Sequence, residues 1–351
     1  MLKKQPVPIK IKLLFWSILG AFSLFFAELF SGSDMFPFFH FWGLFVELSL
    51  YTLHLLVLAY IVFNLGKPLF PSLYLAGTIF GMYEAYLTKV LWNPPWGDAL
   101  ITIGGVGIIE TIVLVLFWHP ILAFIIPLIV CSYLLNQFSE IAAGMPLCIR
   151  KIMSAKKSGA LFVLINAAFF GTFQSTNAPS AWFSLLSCPL SAMVLVILVC
   201  LWKRIIKDCN YNFLEILPNR MQFVVLIALL IIMYIIMGRF IRPEALPDLS
   251  SQLTVWLIYG VLLIAFILSL KRSRKIDMAA KGLKIIRPSF QIILCAIIIF
   301  TFCSTTGRLF LSNWRAPILL PSWFIFSVLG MSAFLFSLKH IPVNPKTSKK
   351  L

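Results

Sequence analysis

The chain of 351 residues is 61% apolar and only 12% charged, with a mean hydropathy of +0.98 and a formal net charge of +17. Soluble domains carry about 25% charged residues, so a soluble enzyme or binding module is excluded. Apolar runs of the roughly 20 residues that a span requires recur from end to end. They exclude a barrel of alternating strands of about 10 residues and predict an all-α, polytopic integral membrane protein.

The apolar segments run over 13–30, 41–64, 69–91, 99–137, 159–176, 181–202, 221–240, 252–270, 288–305 and 316–338. Basic residues precede the first, and Ser31-Gly32-Ser33 imitates a signal cleavage site. The length of the segment and Glu28 within it predict a retained span, with cleavage as the alternative. Before the second segment stand Phe36, Phe38, Phe39, Phe41 and Trp42. They read as interfacial anchors, or else as the mouth of a site for an apolar or lipid ligand. The third segment ends in FGMYEAYLTKVLWNPPWGDA, residues 80–99, which takes Glu84 into apolar surroundings. Lys89 lies about 140° around the helix from Glu84 and is expected to snorkel to the outer interface. Trp92 and Trp96 fit an aromatic belt, and Pro94-Pro95 ends the helix.

The fourth segment, 99–137, has a length that suits one crossing or two, and charge decides between them. With the N-terminus inside and a single crossing, the basic loops all fall on the cytoplasmic side, as the positive-inside rule requires. Only Lys89, Arg239, Arg242, Arg308 and Arg315, of 29 basic residues, then lie outside. A double crossing would invert every later loop. The expected architecture is therefore ten spans with both termini cytoplasmic. The positive charge serves orientation and attraction to anionic inner-leaflet lipid, and nucleic acid is not expected as a partner. A straight helix over 99–137 would reach about 58 Å against a core of about 30 Å. A kink or break is expected, at His119 and Pro120 or at Gly104-Gly105.

No soluble domain interrupts the spans. The organisation reads as a four-helix unit over 1–137, a basic loop over 138–158, and a six-helix unit with basic loops and tail over 159–351. No glycine-rich phosphate loop occurs, so direct ATP hydrolysis is not expected. The seven cysteines, Cys131, Cys148, Cys188, Cys200, Cys209, Cys295 and Cys303, form no CxxC pair and read as small apolar packers.

The acids are the chemistry-bearing feature. Glu28, Glu47, Glu84 and Glu110 occupy one each of the first four segments, and the later six hold none. Counting along the helices places all four in the outer half or near the midplane, with Glu110 about 16 Å in. Tyr74, Gly77, Gly81, Glu84 and Thr88 share one stripe, with Gly77 and Gly81 open to close approach by another backbone. Gly43, Glu47, Tyr51 and His54 share a face of the second helix in the same way. Ionisable groups at membrane depth are costly and read as functional; the structural alternative is a protonated or hydrogen-bonded helix tie. His40 and Asp98 sit in the outer loops nearby, and His119 is expected toward the inner side.

No ExxH accompanies the acids, so no di-metal site is expected, and His54 and His119 do not suggest haem ligation. No HExxH or GxSxG appears, and the residues name no cofactor. The leading reading is a secondary transporter or translocator of the cell membrane. Glu47, Glu84 and Glu110 would bind a proton or cation, with Glu28 and Asp98 at the entrance and His54, Tyr51 and Thr88 beside them. The alternatives are a membrane-embedded enzyme acting on a lipid or isoprenoid, and a non-catalytic subunit of a membrane complex. The bilayer, with a cationic or lipid ligand, is the expected partner.

Overall fold

A computed structural model describes residues 7–134, 140–206, 211–275, 286–311 and 315–341. Lys3, Lys4 and Cys209 lie outside the described residues. The chain is an all-α, multi-pass membrane protein. Among the described residues nine helices are long and apolar enough to cross a bilayer. They are α1 (Ile9–Leu29), α2 (Trp42–Leu65), α4 (Ile108–Leu134), α6 (Lys156–Ser175), α7 (Ala181–Ile205), α8 (Arg220–Phe240), α9 (Leu249–Ser273), α10 (Phe290–Phe310) and α11 (Arg315–Lys339). Shorter or less apolar helices include α3 (Phe70–Thr88) and α5 (Leu147–Ser154).

The third apolar segment becomes α3, whose 19 residues include Glu84 and three tyrosines and fall short of that apolar standard. Fourteen of its residues are nonetheless buried. A helix enclosed by protein needs no lipid-compatible surface, and so it can carry polar groups that a lipid-facing helix cannot.

The fourth segment differs from the expectation. Residues before 108 are not helical: Thr102–Ile103 (β1) pairs with Val106–Gly107 (β2) as an antiparallel hairpin. Gly104 and Gly105 make its turn at φ +57° and +76°, the left-handed region open to glycine. The helix that follows has 27 residues, about 40 Å, and does not break at Trp118-His119-Pro120. It widens instead into a π-helical stretch over Thr111–Ile125, with Pro120 inside it. Proline clashes with the carbonyl four residues back. That carbonyl, of Leu116, lies 2.6 Å from the Tyr74 hydroxyl, which supplies a donor from α3. Shorter π-helical stretches close α1 at Phe25–Leu29 and open α2 at Trp42–Glu47. Asp248 caps α9, accepting from the Ser250 hydroxyl at 2.5 Å and the Ser251 amide at 3.3 Å, and these bonds hold its carboxyl below the usual carboxylate range.

The chain forms two compact units, each drawn from three separate stretches. The first comprises Met1–Thr52, Pro127–Leu217 and Met278–Ser322; the second comprises Leu53–Ile126, Pro218–Asp277 and Trp323–Leu351.

In the first unit α6, α7, α10 and α1 pack around buried polar groups. A Cβ at Gly171 would stand 2.4 Å from the Phe300 carbonyl, so α6 and α10 meet backbone to backbone. Phe30 lies between Phe170 and Phe300, with ring centroids at 4.9 and 5.1 Å. The fully buried Gln174 donates to the Leu29 carbonyl at 2.7 Å and accepts from the Ser304 hydroxyl at 2.7 Å, tying α6 to α1 and α10. Truncation would orphan both partners, so Gln174→Ala is expected to cost about 2–3 kcal/mol. Unfolding of the detergent-purified chain measures this. A loss under about 0.5 kcal/mol, typical of surface changes, would show that the amide does not hold these helices.

In the second unit α3 is packed by α4, α8 and α9. A Cβ at Gly77 would stand 2.4 Å from Pro120 Cα, and one at Gly81 3.0 Å from Val115 Cα. The Ser72 hydroxyl donates to the Ser269 carbonyl at 3.4 Å.

Candidate functional site

In the second unit the close approach at Gly81 sets His119 against α3, only 3.1 Å from where a Cβ would stand. One helical turn on, Glu84 Oε2 lies 3.1 Å from His119 Nε2, with side-chain exposures of 17% and 4%. His119 Nδ1 lies 2.9 Å from the Leu114 carbonyl. A carbonyl can only accept, so Nδ1 carries a hydrogen and donates. The Nε2–Oε2 contact is then a hydrogen bond only with one further proton between the two atoms. That proton makes either a carboxylic acid donating to neutral imidazole or an imidazolium donating to carboxylate. Both arrangements have zero net charge, the least costly state for a titratable pair inside a membrane protein.

The helix that carries His119 starts later than the sequence suggests. The expected depth was counted from residue 99, but the helix begins at Ile108, which puts His119 about 16 Å from its start. The same start makes Glu110 the third residue of the helix. It is 2% exposed, with Oε2 unbonded among the described residues. A Cβ at Gly107 would meet that oxygen at 2.5 Å, so Glu110 folds back over the end of the hairpin.

His54 stacks face to face on Phe80 at 4.4 Å, and Phe80 sets its ring against His119 at 5.3 Å. Tyr83 meets His54 edge-on at 4.1 Å and donates from its hydroxyl to the Leu230 carbonyl at 2.9 Å. Tyr234 packs on Tyr83 and Tyr86 at 4.5 and 5.9 Å. The Thr88 hydroxyl does not point at a carboxylate; it donates to the Glu84 backbone carbonyl at 3.0 Å.

Lys89 does not snorkel. It is 1% exposed, takes a left-handed φ of 57°, and donates to the carbonyls of Gly238 at 2.8 Å and of Ile241. It closes the C-terminal end of α8, where the last carbonyls lack helical partners and a cation is favourable.

In the first unit Glu28, within the π-helical end of α1, accepts from the hydroxyls of Tyr51 and Ser33. Glu47 is half-buried, near enough to Glu28 and Asp34 for their charges to act on it. Asp34 Oδ2 lies 2.6 Å from His40 Nε2. His40 Nδ1 accepts from the Gly43 amide at 3.2 Å, beside the π-helical start of α2.

The sequence-derived set is thus shared between the units. Glu28, Glu47 and Tyr51 belong to the first, and His54, Glu84, Thr88, Glu110, His119 and Pro120 to the second. Each of the three π-helical stretches contains or adjoins one of these acids or its partner: Glu28, Glu47, and Glu110 with His119. Such widened turns are enriched at functional sites. Attention to acids alone missed Gln174 and the tyrosines at 83, 86 and 234, and left Lys89 as an interfacial anchor. Polar side chains within otherwise apolar segments are the signal that would have found them.

Residues 17–343 match a family described as an uncharacterized membrane protein family, and the chain belongs to that family. A protein of Archaeoglobus fulgidus, described as an uncharacterized protein, is 38% identical over 265 residues, which is 74% of this chain and 79% of that one. No solved structure matches the chain.

Proposed function

We propose that this family member is a secondary transporter or translocator of the cell membrane in which the Glu84–His119 pair takes up and releases the coupling proton. The 3.1 Å contact of a carboxylate with an imidazole whose other nitrogen is engaged carries this reading. The pair holds one exchangeable proton, at a place reached by a slightly exposed carboxylate and a nearly buried imidazole. Proton relays in membranes are built from such Asp, Glu and His groups. Glu28, Asp34 and Glu47 of the first unit add a carboxylate environment that favours a cationic solute through Coulomb attraction.

The test is proton flux in liposomes holding the full chain, with a pH-sensitive dye inside and inorganic cations and amines supplied outside. Entry of at least one of these solutes is expected to move protons, with no such movement in protein-free liposomes. Absence of coupled flux with every solute would overturn the reading. A changed lipid mass would then favour the enzyme alternative, and a stoichiometric co-purifying protein the subunit alternative.

A further inference from the structure

We infer that the basic end of the first unit carries a binding site for an anionic phospholipid, built on α5 and centred on Arg150. The helix α5 is eight residues long, none of them buried, and is introduced by Pro146. At about 12 Å it is too short to cross a bilayer. By helical position Cys148, Ile149, Ile152 and Met153 share one face and Arg150, Lys151 and Ser154 the other, where the first residue, Leu147, also falls. A basic amphipathic helix of this kind lies along a membrane surface, with its apolar face among acyl chains.

The connection to α6 holds it at that level. A single extended residue, Ala155, joins α5 to the span that begins with Lys156 and Lys157. The Met153 carbonyl accepts from the Ile286 amide at 3.0 Å, which brings Arg287 alongside. None of Arg150, Lys151, Lys156 and Lys157 is paired with an acid among the described residues. Arg150 Nε is buried and has no hydrogen-bond partner among the described residues. An orientation signal explains the positive charge on this side, but not a guanidinium whose Nε is covered and unbonded while no acid among the described residues pairs with it. A phosphodiester accepts from a guanidinium in a directional, paired manner, and anionic headgroups draw juxtamembrane Lys and Arg to the surface. The apolar face of α5 matches the acyl chains of the same lipid. The site is separate from the proton-binding pair and stands whether or not the chain transports a solute.

Native mass spectrometry of the full chain in detergent tests the site, with phosphatidylglycerol, phosphatidylcholine and inorganic phosphate as probes. Phosphatidylglycerol adducts are expected to exceed phosphatidylcholine adducts. They should fall about five-fold in Arg150→Gln, as for one surface charge, and by less in Arg150→Lys, which keeps the charge but not the paired donors. A Lys151→Gln, Lys156→Gln, Lys157→Gln variant alters only exposed side chains and should lose at least as much. It reads the same site should Arg150→Gln fail to fold. Changing Lys203 and Arg204 to Gln, at the end of α7, should leave the adducts intact. Equal binding of the two lipids, wild-type adducts in Arg150→Gln, or an equal loss in the α7 control would overturn the site. Displacement of the lipid by inorganic phosphate would overturn its assignment to a phospholipid.

Discussion

Gly77→Ala is expected to destabilise the protein by about 2–3 kcal/mol, and Gly77→Val by more, with reduced yield of folded chain. The first atom of any side chain at this position would stand 2.4 Å from Pro120 Cα and 2.8 Å from its Cβ. Neither can swing away as the tip of a flexible side chain would, because one is backbone and the other belongs to a ring closed onto the backbone. Relief therefore requires α3 and α4 to separate, and the separation propagates to Gly81 and the Glu84–His119 contact. Gly260 in α9 is the control. A Cβ there meets nothing within 4 Å, and replacing an unneeded helical glycine by alanine stabilises by about 0.4–1 kcal/mol through the unfolded chain. Unfolding in detergent, followed by intrinsic fluorescence, compares the two. If Gly77→Ala matched Gly260→Ala within about 0.5 kcal/mol, the tight α3–α4 crossing would be wrong.

The same crossing marks where sequence reading succeeds and fails. Hydropathy alone locates the spans, because a lipid-facing helix must be apolar on most of its surface. It is least informative for α3, which protein covers. The stripe from Tyr74 to Glu84 could be read because helical period is a local property. What that stripe touches could not. The partners of Gly77 and Glu84 lie on α4, and their pairing depends on where α4 begins. Gly104 and Gly105 look the same in sequence whether they interrupt a helix or turn a hairpin. Choosing wrongly shifted Glu110 and His119 by several positions along the helix. Lys89 was misjudged for a related reason. Its carbonyl partners, Gly238 and Ile241, are some 150 positions away, and no local pattern announces the end of a distant helix. The π-helical stretches are invisible to periodicity, since each shifts the register only slightly over a few turns.

Glu84→Gln is expected to abolish proton-coupled flux while leaving the fold nearly intact, and His119→Ala to damage both. Glutamine keeps the shape of the side chain, and its amide can donate to His119 Nε2 while Nδ1 still donates to Leu114. The stability cost is then about 1 kcal/mol, that of exchanging one hydrogen bond for a weaker one. The amide has no exchangeable proton to pass on, so flux should fall to that of protein-free liposomes. His119→Ala removes the partner and leaves a carboxylate with 17% exposure beside a cavity the size of an imidazole. Breaking such a pair costs about 3 kcal/mol, mostly through the charge left uncompensated. The double variant Glu84→Gln, His119→Ala should therefore be more stable than His119→Ala alone, because the lone charge is gone. Residues with no direct interaction would give losses that add. Strict additivity would mean that they share no proton. Wild-type flux in Glu84→Gln would move the coupling group elsewhere, with Glu28 and Glu47 of the first unit next to be neutralised. A Glu84→Gln silent in flux, with the predicted non-additivity showing that its fold and its coupling to His119 are as described, places the transported proton on the pair.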